Sequence, residues 1–234
     1  MAAETVSPRD WASHPPMISP DYKSTLYRAP KKPLIPIKQS LSELTGPAYG
    51  HESLDPLDHD LTKNARKSGE PIGERIVVTG RVLGDDGRPV ANTLVEIWQA
   101  NAAGRYIHVN DQHDAPVDAN FLGAGRCVTD AEGRYKFYTV KPGAYPWMNH
   151  HNAWRPAHIH LSLFGPSIAT RLVTQMFFPA DPLLPQDPIF MSVPDTARQR
   201  LVANFDLGVT EAGWALGYQF DVVLRGRAET PMEQ

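Results

Sequence analysis

The chain has 234 residues, 41% of them hydrophobic, with 23 basic and 26 acidic side chains and a net charge of −3. That balance leaves no cationic excess to neutralise phosphates and argues against nucleic-acid binding. The single cysteine, Cys127, excludes an intramolecular disulfide and a thiolate zinc site. No apolar run reaches the roughly 18 residues of a membrane helix, and Met1–Asp10 carries no apolar signal segment, so the expectation is a soluble cytoplasmic protein.

Residues 1–71 hold ten of the 22 prolines. Proline fixes φ and removes an N–H donor, which predicts an extended or looped arm. Tyr22, Leu26, Tyr27, Leu34, Ile35 and Ile37 call for burial, so the arm should wrap the body or a partner subunit. Ser40 and Glu43 have capping-box spacing and predict a short helix near Ser40–Leu44.

From about Glu74 the pattern changes, and residues 72–234 are expected to form one catalytic domain. Ile76–Val82 and Thr93–Gln99 are β-branched runs separated by the turn Asp85–Pro89. Asp130-Ala131-Glu132-Gly133 between Cys127–Thr129 and Tyr135–Tyr138 reads as a hairpin. Ala157–Phe164, Leu172–Phe178 and Gln219–Leu224 are further strands, and Asp195–Asn204 is the one good helix after residue 80. Many short strands at near-regular spacing predict an all-β protein, an antiparallel β-sandwich.

Arg155-Pro156-Ala157-His158-Ile159-His160 is the sharpest local signal. Side chains at i and i+2 of a strand share a face, so His158 and His160 project together. The pair alone leaves two readings open, a metal site or packed histidines. A ferrous two-histidine site also needs a carboxylate, and the residues that follow, Leu161–Gly165, supply none. Tyr106, at the exit of a strand, and Tyr145, in the loop Pro142–Trp147, are the other donors within reach.

Trp98-Gln99-Ala100-Asn101, Gly104-Arg105-Tyr106, Gly125-Arg126, Tyr145-Pro146-Trp147 and Trp154–His160 together resemble the intradiol ring-cleavage dioxygenases, in order and spacing, from about Trp11 to Arg227. Asp21-Tyr22-Lys23-Ser24 and Arg28 resemble in particular the β subunits of the two-chain members, which carry an arm in place of a helical N-terminal domain. The resemblance implies one Fe(III) per chain and no organic cofactor. Its ligands would be Tyr106 and His160 in the equatorial plane and Tyr145 and His158 on the axis, with hydroxide or water at the fifth position. Two phenolates and one hydroxide offset the three charges of the metal, giving a neutral site that tolerates burial. It further implies cleavage of protocatechuate by O₂ between its two hydroxylated carbons. Tyr145 would then be displaced and accept a substrate proton, and Arg155 and Gln175 would be catalytic. Trp147 and Ile189 would line the substrate ring, with Tyr22 and Arg28 on its carboxylate side. A paralogous α subunit would complete a higher-order α/β oligomer.

Two other readings are weaker. A structural, iron-free paralogue would lack the four ligands, and all four are here. A transthyretin-like binding sandwich would leave Tyr106 and Tyr145 unexplained. Two histidines in the loop Met148–Asn152 are expected to be solvated, and Pro166–Ala169 carries no readable feature.

Overall fold

Two sheets form where apolar and polar residues alternate, and each turns its apolar face to the other. The computed structural model describes residues 9–35, 51–149, 151, 154–165 and 171–233. The expected helix at Ser40–Leu44, together with Ile37, His150 and Pro166–Ala169, lies outside these.

The first sheet is built on β1 (Arg75–Leu83), which pairs antiparallel with β4 (Arg134–Val140). Along its other edge β1 pairs in parallel with β10 (Leu216–Gln219) and β11 (Val222–Val223), and β9 (Asn204–Phe205) extends β10. The second sheet is antiparallel throughout, in the order β3 (Ala124–Val128), β2 (Leu94–Trp98), β7 (His158–Phe164), β8 (Leu172–Phe177). A separate ribbon pairs β5 (Tyr145–Pro146) with β6 (Trp154–Arg155). Ile76, Val78 and Phe137 of the first sheet meet Ile97, Ile159 and Leu161 of the second in one core. Fully burying side chains of this size contributes about 1.5–3 kcal/mol each.

The all-β sandwich agrees with the expectation, with five differences. The first sheet is mixed, because the chain returns to β1 only after passing through the second sheet. The Asp130–Gly133 turn does form, with Gly133 N donating to Asp130 O at 3.0 Å. It does not close a paired hairpin, however: β3 pairs with β2 and β4 with β1, so the turn carries the chain between sheets. The strand expected over Gln219–Leu224 is two short strands, β10 and β11. The helix expected over Asp195–Asn204 ends at Arg198, tightens into a 3₁₀ turn at Gln199–Leu201 and gives way to β9. Ahead of it stands an unexpected helix, Pro188–Ser192, begun by a proline at its first position and capped by Asp187, which accepts from Ile189 N. With Thr25–Arg28 as α1, these are α2 (Pro188–Ser192) and α3 (Asp195–Arg198).

The described part of the arm has a 3₁₀ turn at Trp11–Ser13 and α1, and is otherwise irregular. Tyr22 is buried, but Leu26, Tyr27, Leu34 and Ile35 are exposed in the single chain. Leu61 is part of the sandwich core, and its N–H donates to Tyr138 O at 2.8 Å. Among the described residues no helix is long and apolar enough to cross a membrane.

Candidate metal centre

The register of the second sheet sets the centre. Along β7, Ile159, Leu161 and Leu163 point into the core, so His158 and His160 share the opposite face. Their ring centroids are 4.9 Å apart. Trp98 on β2 lies across from His160, and the two rings stack at 4.7 Å with an interplanar angle of 5°. Gln175 and Phe177 on β8 face His160 and His158 from the other side.

Tyr106 arrives on a loop and Tyr145, expected in a loop, opens β5 of the short ribbon; the segments leading to them pack backbone to backbone. Asn101 Oδ1 accepts from Ala103 N and Arg105 N at 2.9 and 3.0 Å, and Gly143 N donates to Asn101 O at 3.0 Å. Gly104 has φ +78°, and a Cβ there would stand 2.2 Å from Ala144 O. A Cβ on Gly143 would stand 2.5 Å from Ala102 O. Two glycines therefore permit the approach that brings Tyr106 and Tyr145 edge to face, with centroids 5.4 Å apart. Asp111 Oδ2 accepts from Tyr106 N at 2.8 Å and fixes the end of the loop. Tyr145 Oη is 3.3 Å from His158 Nε2. All four expected ligand side chains thus converge.

Their protonation follows from their partners. His158 Nδ1 lies 2.7 Å from Pro156 O. A carbonyl only accepts, so the proton sits on Nδ1 and Nε2 is free to accept. Burial, with the nearby Arg155 and His160, holds the His158 pKa well below its ordinary value, so the ring is neutral. Tyr106 Oη is buried without a hydrogen-bond partner among the described residues. Burial, and then the adjacent Tyr145, pushes its pKa well above ordinary. A buried hydroxyl with no partner is costly, and an acidic cation would both satisfy it and favour its phenolate. Among the described residues no group of three or more His, Cys, Asp or Glu is placed to hold a metal. A cation here therefore needs the tyrosines, and two phenols with two imidazoles suit a hard trivalent ion.

Arg155 is buried beside the centre. Its Nη1 is 3.0 Å from His158 Nε2, its Nη2 donates to Gln175 Oε1 at 2.6 Å, and its Nε and Nη2 reach Asp187 at 3.3 and 2.9 Å. Burial opposes its charge, but Asp187 and Tyr145 outweigh that cost and keep it a cation. The guanidinium lies 5.5 Å from the Trp147 ring centre. Trp147 meets Tyr22 at 5.1 Å, and Arg28 lies over Tyr22 at 4.6 Å. The arm docks there, with Lys23 N donating to Asn149 O at 3.1 Å. Ile189 is buried on α2. An open cleft of about 820 Å³, lined by Trp98, Tyr106, Tyr145 and Trp147 among others, leads to the centre. Exposed His151 lies outside this group.

Two neighbours were not foreseen. Asp187 pairs with Arg155, and Glu233 Oε2 lies 2.9 Å from His160 Nδ1. Asp187-Pro188 carries a helix-start signal; nothing local marks Glu233.

Comparisons with known proteins place the chain in a family. Residues 44–226 match the family model described as Dioxygenase, and residues 7–40 match the model of the protocatechuate 3,4-dioxygenase beta subunit N terminal. The chain belongs to the intradiol ring-cleavage dioxygenases, a family of non-haem iron enzymes. It is 66% identical over 229 residues to the protocatechuate 3,4-dioxygenase beta chain of Burkholderia cepacia, covering 98% of this chain and 97% of that one. To the alpha chain of the same enzyme in that organism it is 28% identical over 202 residues, covering 83% and 96%. The crystal structure of 3-chlorocatechol 1,2-dioxygenase from Rhodococcus opacus 1CP shares the fold, with a TM-score of 0.54 at 23% identity over 71% of this chain and 64% of that one.

Proposed function

We propose that this chain is the β subunit of a protocatechuate 3,4-dioxygenase, cleaving 3,4-dihydroxybenzoate with O₂ to 3-carboxy-cis,cis-muconate. The observation that carries the reading is the convergence of Tyr106, Tyr145, His158 and His160 beside a buried, anchored arginine. The near full-length likeness to the Burkholderia beta chain supports the substrate.

Those four side chains would hold one Fe(III) per chain, which supplies the chemistry that makes a bound catecholate reactive toward O₂. The protein's own groups do the rest. His158 offers a neutral Nε2 because Pro156 O fixes the proton on Nδ1. Tyr145 Oη, on the short ribbon beside His158, is the group to take a proton from the incoming catechol. Arg155 cannot lose its proton. Pinned by Asp187 and Gln175, it holds positive charge where negative charge develops on the ring or its oxygens. Trp147 and Ile189 flank the ring, and Tyr22 and Arg28 serve the substrate carboxylate.

Residues 1–71 act as the arm and 72–234 as the catalytic body. The exposed Tyr27, Leu34 and Ile35 favour a paralogous α subunit as the arm's partner in an α/β oligomer. The cytoplasm, with its reduced thiols, suits a chain with a single cysteine.

The test is an optical spectrum of the purified protein with product analysis. Tyrosinate-to-iron charge transfer should colour the resting protein red-brown, and anaerobic protocatechuate should shift the band. Isotopic O₂ should place both its atoms in the muconate. A colourless protein holding stoichiometric zinc, or a semialdehyde product, would overturn the reading.

A further inference from the structure

Glu233 belongs to no strand, yet it reaches the centre of the site. Its Oε2 lies 2.9 Å from His160 Nδ1, and the two side chains are 21% and 10% exposed. An ionised carboxylate only accepts, so this contact keeps the imidazole proton on Nδ1 and leaves the Nε2 lone pair uncommitted. Trp98 stacks flat on the ring from the side. His160 is thus held by a plane against its face and an acceptor at one nitrogen. His158 receives the matching treatment from the backbone carbonyl of Pro156.

The carboxylate gets there because segment 229–233 is sewn to both sheets and to the arm. Thr230 exchanges two hydrogen bonds with Val223 of β11, at 2.8 and 3.0 Å. Thr174 Oγ1 donates to Pro231 O at 2.6 Å, and Glu233 N donates to Val173 O at 2.7 Å, both on the free edge of β8. From the arm, His14 Nδ1 accepts from Met232 N at 3.0 Å, while its Nε2 donates to Glu229. His14 and Glu229 are both buried. Arg200 Nη1 also donates to Glu229 O at 3.0 Å.

We propose that Glu233 is a positioning residue for His160, setting its tautomer and ring orientation for the metal, with segment 229–233 as the strap that His14 of the arm clamps in place. The proposal rests on His160 being a ligand. Loss of such an outer partner typically weakens a metal site 10–100-fold. The strap also gives the arm a second route to the centre, separate from Tyr22.

The experiment compares wild type, Glu233→Ala and Glu233→Gln as iron-loaded holoproteins. It measures the rate of iron release to a chelator and the position of the tyrosinate charge-transfer band, and it records the Tm of each metal-free form. Glu233→Ala should release iron on the order of 10–100-fold faster with a displaced band, at an unchanged metal-free Tm. Glu233→Gln keeps an acceptor and should recover most of the wild-type rate. Wild-type release and an unmoved band in Glu233→Ala would overturn the proposal while leaving the ferric site intact. A wild type that shows no tyrosinate band after iron loading would instead overturn the ferric reading, and this proposal with it.

Discussion

Arg155 and Asp187 form a buried ion pair, Nη2 to Oδ2 at 2.9 Å, with side chains 3% and 0% exposed. The pair joins the short ribbon beside the candidate metal centre to the start of α2. Removing one partner of a buried pair strands the other charge, which typically costs about 3–5 kcal/mol. Asp187→Ala should therefore destabilise the fold by that order, read from urea unfolding. It also removes the cap that accepts from Ile189 N. Asp187→Asn keeps a cap and an acceptor and should lose less. Equal stability of wild type and Asp187→Ala would show that Arg155 is solvated and that its charge is not enforced by this pair.

Arg155 also spans His158 and Gln175, so its loss separates metal binding from turnover. Arg155→Ala should keep iron, because all four proposed ligands remain and His158 loses only its contact with Arg155 Nη1. Its kcat should fall about 10²-fold, the usual cost of one preorganised donor to a developing negative charge. Arg155→Lys should not restore the rate, since one ammonium cannot serve Asp187, Gln175 and the reacting ring together. Iron stoichiometry beside steady-state kinetics decides this, and full activity in Arg155→Ala would remove the residue from the mechanism.

The metal-free protein offers a third check. Tyr106 Oη is buried without a hydrogen-bond partner among the described residues. An unsatisfied buried hydroxyl costs about 1–3 kcal/mol. Tyr106→Phe should consequently stabilise the metal-free fold by up to that amount. The same substitution should lower iron content and bleach or shift the charge-transfer band. Opposite signs in the two states are the signature of a group kept for the metal rather than for the core. Thermal unfolding after chelation, against the iron-loaded form, measures both.

The sequence reveals the parts of this site that are local and conceals those that are not. His158-Ile159-His160 is legible because strand alternation is a rule of adjacent residues, and the structure puts both rings on one face. The segments carrying Tyr106 and Tyr145 are legible only through the company of motifs, since their meeting depends on Gly104 and Gly143 packing across 39 residues of chain. Asp187 and Glu233 lie 32 and 73 residues from their partners, and no local pattern links an acid to an arginine or a histidine at such a distance. The Asp130–Gly133 turn misled for the same reason: turn chemistry specifies the reversal, while the choice of pairing partner is made by the two sheets.

Cys127, on β3, gives a prediction with a pH axis. The residue is half-buried, and that burial pushes its thiol from about 9 up to about 12. At neutral pH the folded protein should alkylate slowly, because the thiolate is the nucleophile. The neutral thiol is favoured by folding, so its stability is fully present below pH 9. It is then lost as pH rises through the window from about 9 to about 12. Cys127→Ala should flatten the alkaline decline over that window. Rapid labelling of the native protein at neutral pH, followed by mass spectrometry, would contradict the burial on which this rests.

The last prediction concerns the exposed face of the arm. In the single chain Tyr27 and Ile35 are 86% and 85% exposed, and Leu26 and Leu34 are also exposed. Apolar side chains gathered on one short segment mark a surface that something covers. The arm is nevertheless not free, because Tyr22 meets Trp147 and Lys23 N donates to Asn149 O. A partner that seats on Tyr27, Leu34 and Ile35 therefore bears directly on the residues proposed to hold the substrate carboxylate. The chain expressed alone should be poorly soluble or nearly inactive, and co-expression with a paralogous α chain should yield a large oligomer of paired chains. Tyr27→Ser with Ile35→Ser should improve the solubility of the lone chain and weaken its pairing with α. Light scattering and an activity assay on the same fraction report both effects. A stable monomer fully active on protocatechuate would show that the arm supports the site unaided, and the partner assignment would be withdrawn.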